Sequence, residues 1–543
     1  MPATPPAPAT PATPAAAPAA APAPTTASPP PAAAATGRRA NPWLTLIAVS
    51  FGLFMVQLDG AVVAIANPEI GRALHASTAD LQWVTNAYLL ALAATLILGG
   101  KLGDRFGRRT SYMTGIVGFT LASVAIGLAG SIEGVIAFRA AQGLFGGLLM
   151  PNTLGLLRAV FPPRGFGMAV GVWAMVSTVS AALGPIVGGL LVEHVSWESV
   201  FFINAPIGVL ALLVSAAVLP ESRDTEARGR FDVPGVVLLA LGLPATVFGI
   251  VKGETWGWTS PGTLGAVAAG VTLLVVFGRY ERRVANPLLP MRLFRNRSLT
   301  IGTVVTGLNF FVMLGVIFFV MLYLQNVRGY SPVEAGVRTL PLSCASLVAA
   351  PLGAALTGRF GPRFTMPLGM LLQAAATFGM LTWDTDSPYA TVWPPFVALG
   401  LGVGMVLAAS SDAIVGQAPV RDSGVAGGLQ ATALQVGGAL GTSVLVSLIS
   451  ARVGSTLTGD LTRAGVPEQT AAGLAHAKDA VAMGVAPLTA DMPDRLRAAV
   501  VEGSGQAFMG GVHLAATVTG VLCLVGAAVA TAGLRSRTGP AED

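Results

Sequence analysis

Two charged side chains, Asp59 and Arg139, lie inside long apolar stretches of the sequence. A charge in a hydrocarbon environment costs about 3 kcal/mol on insertion scales unless it faces water or an opposite charge. Both residues lie about seven positions from the same end of their stretches, so a helical rise of about 1.5 Å per residue puts them at matching depth. We therefore expect the two side chains to approach each other. A carboxylate in this setting can gain or lose its charge as water access changes, which proton coupling requires, and a permanent structural ion pair is the alternative.

A second group of charges occupies the loop after the second apolar stretch, which reads GGKLGDRFGRR from Gly99 to Arg109. Glycine permits a tight turn and close helix approach, and an aspartate can cap a helix start and pair with arginine. Such a loop can act as a latch that holds one conformation and opens in another. Positive charge that only sets membrane orientation is the alternative. The candidate latch residues are Gly100, Asp104, Arg105, Gly107, Arg108 and Arg109.

The fifth apolar stretch combines several glycines with one proline. Small residues let helix backbones touch, and proline removes a backbone hydrogen bond and bends a helix. The pattern predicts a bent, closely packed helix, with generic packing as the alternative to a specific role. The residues concerned are Gly171, Gly184, Pro185, Gly188 and Gly189.

Uncharged polar and aromatic side chains are scattered through the other apolar stretches. Each is a candidate for a substrate cavity, with hydrogen bonding between helices as the alternative. Asp412, near the end of the twelfth stretch, is a candidate second proton site. The alternative is an ordinary charge at the membrane interface. The cavity candidates are Trp83, Asn86, Tyr88, Gln142, Asn152, Asn309, Gln325 and Gln435.

The segments that carry these residues are too apolar to form a water-compatible surface. Of the 543 residues, 53% are hydrophobic and 11% are charged, whereas soluble domains carry roughly 25% charged residues. From Trp43 onward we count fourteen stretches, each long enough to cross a hydrocarbon core of about 30 Å. Unsatisfied backbone groups in lipid require each stretch to be a complete helix. The sequence predicts an all-α polytopic membrane protein with fourteen transmembrane helices, which argues against soluble enzymes and nucleic-acid binders.

Most Lys and Arg residues fall in loops on one side of these segments. Positive loops face the cytoplasm, so both termini are expected there, in a protein of the cell membrane. Residues 1–40, rich in Pro and Ala, are expected to form a disordered tail. Residues 536–543 form a second cytoplasmic tail, and residues 452–507 an extracellular loop.

The loop motif recurs as GAALTGRFGPR at residues 353–363, an offset of 254 residues. With this offset, each helix of the first half corresponds to the helix eight places later. The sequence therefore predicts two six-helix bundles, at 41–222 and 298–535, with two extra linker helices between them at 223–297. Parallel repeats of this kind are the architecture of an alternating-access carrier. The second copy has Gly358 where the first has Asp104, so a charged latch would be one-sided.

The sequence lacks the residue patterns that metal binding or ATP hydrolysis would need. Cys344 and Cys523 cannot build a disulfide framework or a zinc site, and no GxxxxGK[ST] string offers an ATP site. We therefore expect no metal, no cofactor and no enzyme activity. A membrane-embedded lipid-modifying enzyme remains a less favoured alternative, because the four histidines are scattered at His75, His194, His476 and His513.

Taken in order, these motifs resemble the major facilitator superfamily, specifically its fourteen-helix drug:proton antiporter branch. The resemblance extends from Trp43 to Leu534. It implies that Asp59 and Arg139 take part in proton coupling, that the Gly99 to Arg109 loop is a latch, and that the string around Pro185 marks an antiporter. The strings that carry it are LDGAVVAIANPEI, LQWVTNAYLL, GGKLGDRFGRR, RAAQG, LGPIVGG, FFINAPIG and YLQNVRGYSP.

The expected function is that of a proton-coupled efflux antiporter. It would export a hydrophobic or amphiphilic small molecule, such as a drug, antibiotic or secondary metabolite, from the cytoplasm. Its partners would be that substrate, protons and the lipid bilayer, with no nucleic acid, and it would act as a monomer. A proton-coupled uptake symporter and a non-transporting sensor are the remaining alternatives.

Overall fold

The chain is helical throughout the parts that a computed structural model describes, residues 41–76, 78–222, 232–489 and 492–534. Within them, thirteen helices are long and apolar enough to cross a membrane. A fourteenth, Pro163–His194, has 32 residues, or about 48 Å of helix. The predicted all-α, fourteen-helix fold is confirmed. The expected tails at 1–40 and 536–543 lie outside the described residues.

Six helices form the N-terminal bundle. Their starts follow local signals: Asn41 caps the first helix ahead of Pro42, and the Ser131 side chain accepts from the Gly134 amide at the start of the fourth. Such caps satisfy amides that have no partner within the helix. The helices are α1 (Pro42–Ala73), α2 (Thr78–Phe106), α3 (Arg108–Gly127), α4 (Ile132–Val160), α5 (Pro163–His194) and α6 (Ser199–Val218).

Two extra helices and a second six-helix bundle follow. The extra pair is α7 (Val233–Trp256) and α8 (Pro261–Glu281). The C-terminal bundle consists of α9 (Arg297–Leu322), α10 (Pro332–Phe360), α11 (Pro362–Gly379), α12 (Tyr389–Ser411), α13 (Ser423–Arg463) and α14 (Asp494–Gly533).

The segment predicted as a loop at 452–507 is largely helical. α13 continues to Arg463, and α14 already begins at Asp494. The extension of α13 persists because Val453, Leu457 and Leu461, spaced four residues apart, bury one face of it. Between the two helices lie the short helices Glu468–Leu474 and Lys478–Ala482.

The two bundles repeat the same helix contacts. α1 packs on α5 as α9 packs on α13, and α2 packs on α4 as α10 packs on α12. The repeat partners Arg109 and Arg363 also make equivalent hydrogen bonds. Each donates to a carbonyl near the end of the last helix of its own bundle, Arg109 to Ala216 at 2.8 Å and Arg363 to Thr531 at 3.2 Å. The repeat seen in the sequence is therefore a repeat of structure.

The bundles meet at the end that carries the Gly99 to Arg109 loop, which we call the basic end. There α13 packs on α2 and α4, while α10 packs on α5. A Cβ atom on Gly100 would overlap the carbonyl oxygen of Gly424, and one on Gly171 would lie 3.1 Å from the Cα atom of Pro351. Glycine is therefore required for α2 and α13 to touch. α7 packs on both α2 and α13, so the extra pair borders the same junction.

Candidate functional site

Asp59 of α1 and Arg139 of α4 form an ion pair inside the N-terminal bundle. Arg139 Nη1 lies 2.7 Å from Asp59 Oδ2, and each residue is 1% exposed. Arg139 Nη1 also donates to Gln142 Oε1 at 2.7 Å, and Arg139 Nε donates to the Val84 carbonyl at 3.1 Å. The Tyr88 ring centroid lies 4.1 Å from Arg139 Cζ. The expected approach of the two charges is thus present, and the guanidinium is also held by neutral partners.

The second oxygen of Asp59 has two further donors. Gln142 Nε2 donates to Asp59 Oδ1 at 2.9 Å, and Asn204 Nδ2 donates to it at 2.8 Å. Asn204 Nδ2 is also 2.9 Å from Ser123 Oγ, which donates to the Phe201 carbonyl. These bonds favour the ionised carboxylate. Residues of α1, α2, α3, α4 and α6 therefore build one buried polar network.

Close packing of α2 on α4 positions the arginine. A Cβ atom on Gly143 would overlap the Tyr88 carbonyl oxygen, and one on Gly147 would overlap the Thr95 hydroxyl. Residues four apart lie on one helix face, so both glycines let α4 approach the backbone of α2. Arg139 lies one turn before Gly143 on that face, where the Val84 carbonyl and the Tyr88 ring are within reach.

The latch candidate Asp104 bonds to both bundles. Its Oδ1 accepts from the Gly424 amide at 3.0 Å, and its Oδ2 accepts from the Val425 amide at 3.1 Å. These amides belong to the first turn of α13, whose own N-cap residue, Asp422, makes no side-chain cap bond. A carboxylate at a helix N-terminus satisfies free amides and is favoured by the helix dipole. Asp104 therefore caps a helix of the opposite bundle.

Arg108 completes this connection. Its Nε and Nη2 donate to Asp104 Oδ1 at 2.8 and 2.6 Å, and Nη2 also donates to the Val420 carbonyl of the C-terminal bundle at 2.5 Å. Its Nη1 donates to Ser222 Oγ at 2.8 Å. Both charges are buried. Gly107 precedes Arg108 with φ of +116°, a value that side chains rarely adopt, which explains glycine in the turn.

The remaining latch candidates have different surroundings. Gly100 allows the α2 and α13 backbones to touch. The Arg109 amide and the Thr110 hydroxyl donate to the Glu221 carboxylate, so Arg109 ties α3 to the end of α6 within one bundle. Arg105 Cζ lies 5.5 Å from the Phe106 ring centroid. Arg108 is the arginine that the structure shows paired with Asp104, at 2.6 Å.

The glycines of α5 divide into three groups. Gly171 meets α10 of the other bundle, while Cβ atoms on Gly184 and Gly188 would contact Ala61 and Val62 of α1. A Cβ atom on Gly189 would meet nothing within 4 Å, so helix packing does not explain that glycine. The side chain of Pro185 lies outside the described part of the structure.

Four of the eight cavity candidates are buried between helices instead of lining a cavity. Tyr88 and Gln142 belong to the Asp59 network, and Asn152 Nδ2 donates to the Gly99 carbonyl at 3.0 Å. Asn309 Oδ1 accepts from Gln373 Nε2 at 2.7 Å. In this conformation these four side chains have partners across helix interfaces, as buried polar groups require, and their role as cavity residues stays a prediction. Trp83, Asn86, Gln325 and Gln435 retain exposed surface.

Gln325 lines a cavity with a volume of about 320 Å³. Most of its wall comes from one face of α9, and Thr442 of α13 completes it. Thr442 lies eighteen residues, or five turns, after Gly424, so it lies on the face of α13 that meets the N-terminal bundle at the basic end. All of the lining residues belong to the C-terminal bundle. Its other lining residues are Leu314, Ile317, Phe318, Met321, Leu322 and Asn326.

Asp412 lies at the basic end, where α12 passes into a π-helical turn, Asp412–Gly416. Arg158 of α4 donates to the Gly416 carbonyl at 3.1 Å and interacts electrostatically with Asp412. Asp412 therefore faces a charge of the opposite bundle. Whether it exchanges protons stays a prediction.

Sequence reasoning missed several residues of both sites. Asn204 and Ser123 were hidden because an uncharged side chain in an apolar helix carries no signal of its own. Asn204 lies within the FFINAPIG string, which was the available hint. The amides of Gly424 and Val425 are backbone groups, which a side-chain search does not find.

Comparison with known proteins gives a consistent result. The family model described as Major Facilitator Superfamily matches residues 49–442. The Tetracenomycin C resistance and export protein of Streptomyces glaucescens is 47% identical over 496 residues, covering 91% of this chain and 92% of that protein. The multidrug efflux pump LfrA of Mycolicibacterium smegmatis is 33% identical over 494 residues, covering 91% of this chain and 96% of the pump. The crystal structure of the human organic anion transporter MFSD10 superposes with a TM-score of 0.59 at 13% identity, covering 90% of this chain and 99% of that one, and supports the fold alone.

Proposed function

Because the chain belongs to the major facilitator superfamily, in its drug efflux branch, we propose that it is a proton-coupled antiporter that exports an apolar antibiotic or drug. The observation that carries the export direction is the 47% identity to a protein named for resistance and export. That relative is matched over nearly its whole length, so the similarity includes both bundles and the extra helix pair. A compound of the tetracenomycin C type is the first substrate to test.

Proton coupling is assigned to Asp59. It is a buried carboxylate whose ionised form is held by Arg139, Gln142 and Asn204. Adding a proton would weaken three bonds at once and release the guanidinium, so protonation and helix arrangement are linked. A proton entering at a membrane potential of about 100 mV supplies about 2.3 kcal/mol, which supports roughly 50-fold concentration of a neutral solute.

The orientation follows from charge. With the basic end in the cytoplasm of the cell membrane, the Asp104 and Arg108 contacts close the cytoplasmic side, and the cavity between α9 and α13 lies toward the outside. In this conformation Asp59 accepts a proton from outside. After the bundles rock, the proton leaves to the cytoplasm and substrate enters, so the two are bound alternately by a single copy of the chain.

Everted membrane vesicles provide the test. With their lumen acidified, vesicles that contain the protein should accumulate tetracenomycin C, and a protonophore should abolish the accumulation. Vesicles from the same host without the protein are the control. Accumulation only when the proton gradient is reversed would identify an uptake symporter and contradict the proposal.

A further inference from the structure

Two carboxyl groups face each other at the basic end of the extra helix pair. Asp232 is the N-cap residue of α7, and Glu281 is the last residue of α8. They are 7% and 2% exposed. A single Cβ atom on Gly235 would lie within 2.5 Å of both Asp232 Oδ2 and Glu281 Oε1. Two acidic side chains from different helices are therefore buried at one point.

One oxygen of each carboxyl makes no hydrogen bond with the described residues. Asp232 Oδ1 accepts from the Gly235 amide at 2.9 Å, and Glu281 Oε2 accepts from the Leu289 amide at 3.2 Å. Asp232 Oδ2 and Glu281 Oε1, both buried, make no hydrogen bond with the described residues in this arrangement. The Tyr280 side chain also lies within reach of Asp232. Each carboxyl is nevertheless within hydrogen-bond reach of the other.

Among the described residues, the surroundings supply little compensating charge. The titratable groups that face the pair within this part of the chain are each other and Tyr280, and the polar backbone groups that face Glu281 are the amides of Leu288 and Leu289. Arg282 and Arg283, the next residues after α8, are exposed. Two adjacent buried carboxyls cannot both be ionised, since their repulsion is weakly screened away from water. A proton between them removes the repulsion and gives both free oxygens a bond.

We propose that Asp232 and Glu281 form a proton-binding site, separate from Asp59, that holds the linker between α8 and α9 against the basic end. The linker depends on Glu281 through the Leu289 amide, and Leu288, Leu289 and Leu293 bury its apolar side. Loss of the shared proton places two negative charges at its anchor.

The linker also leads to the latch. Arg292 Nη2 lies 2.9 Å from Asp422 Oδ2. Asp422 immediately precedes α13, whose first amides are capped by Asp104. Release of the linker would loosen the segment that presents Gly424 to Asp104. The site therefore makes opening of the basic end easier when protons on that side are scarce.

Infrared spectroscopy of the full chain in liposomes tests the site without any transport assay. A protonated carboxyl gives a carbonyl band that an ionised one lacks. Other carboxyls also contribute to this band at acidic pH, so the signal of the site is the component that is lost between neutral and alkaline pH. We expect Glu281→Gln to lack this component and Asp232→Asn to lose it at lower pH than the wild type, because the neighbouring carboxylate is gone. Glu334→Gln, which changes a partly exposed glutamate paired with Arg338, is the matched control. A component that Glu281→Gln and Asp232→Asn both leave unchanged overturns the proposal.

The link to the latch is tested by labelling a cysteine at Ala431, a buried residue on the face of α13 toward α2. In a background with Cys344 and Cys523 replaced by alanine, we divide the labelling rate of Ala431→Cys at each pH by that of the same variant after unfolding, which removes the intrinsic pH dependence of the thiolate. This relative rate should rise at least tenfold from acidic to alkaline pH. Adding Glu281→Gln, which keeps the site neutral, should flatten this profile. A profile that Glu281→Gln leaves unchanged overturns the link. Neither assay requires substrate or a proton gradient, so failed export by the wild type would not be mistaken for failure of this site.

Discussion

The carboxylate of Asp104 in α2 accepts a hydrogen bond from the backbone amide of Gly424 in α13, so a side chain of one bundle caps a helix of the other. The same carboxylate pairs with Arg108, which reaches the Val420 carbonyl of the opposite bundle. Closing the basic end thus satisfies free helix amides and a buried charge together. Separating the bundles would leave the amides of Gly424 and Val425 without their cap and would break the Arg108 bond to the Val420 carbonyl, while the Asp104–Arg108 pair stays within its own bundle. The bonds between the bundles therefore give the closed state a specific stabilisation.

We predict that Asp104→Ala opens the basic end. The substitution removes the cap of α13 and leaves Arg108 as a buried, unpaired cation, and breaking a buried pair costs about 3 to 5 kcal/mol. Thiol labelling of Ala431→Cys from that side should become at least tenfold faster, since about 1.4 kcal/mol already changes a population tenfold.

The matched control for this experiment is Arg363→Ala. Arg363 occupies the repeat position of Arg109 and donates to Thr531 within the C-terminal bundle. It should leave the labelling rate at position 431 nearly unchanged. Equal rates in Asp104→Ala and in the parent protein would contradict the latch.

A second prediction concerns the backbone contact at Gly100. Gly100→Ala inserts a methyl group where the carbonyl oxygen of Gly424 lies, so α2 and α13 must move apart. Overpacking of this kind costs about 1 to 3 kcal/mol. Substrate export and closure of the basic end should both decline, as measured by vesicle accumulation and by labelling at position 431.

Gly278→Ala serves as the comparison for Gly100→Ala. A Cβ atom on Gly278 of α8 would meet nothing within 4 Å. Its export rate should stay close to that of the wild type. Equal export rates in Gly100→Ala and Gly278→Ala would show that the tight contact at Gly100 is not needed for function.

A third prediction is that Asn204 stabilises the buried network. Asn204→Leu removes one donor from Asp59 and the partner of Ser123. Leaving buried polar groups without partners costs about 1 to 3 kcal/mol. The thermal unfolding temperature of the detergent-solubilised protein should fall. Gln506→Leu, which alters a partly exposed bond to Glu502 at 3.3 Å, should shift it far less. A shift of equal size in both variants would remove Asn204 from the network.

The sequence predicted the parts of the site that carry charge. Asp59 and Arg139 were identifiable because a charge in an apolar segment requires a partner, and counting residues along two helices gave their matching depth. Their neutral partners depend on helix rotation and on the close approach of α2 and α4, which counting does not provide. Asn204 and the amides of Gly424 and Val425 are therefore findings of the structure.

The candidate cavity residues also show that a sequence does not reveal how each helix is rotated. Gln142 and Asn309 were equally good candidates for lining a cavity or joining helices, since both roles place a polar group in an apolar segment. Rotation of each helix decided the outcome, and both residues are buried. The fourteen-helix fold was predictable because segment length and hydropathy do not depend on such rotations.

The central claim is that the charge on Asp59 couples proton entry to export. Its most direct test is substrate-driven proton movement in vesicles that contain wild-type protein, Asp59→Asn, or Asp59→Asn with Arg139→Gln at matched membrane abundance. The double variant leaves no unpaired charge, so a folding defect caused by the free guanidinium can be recognised. We predict that adding substrate moves protons in the wild type and in neither variant. Proton movement of wild-type size in Asp59→Asn would contradict the account.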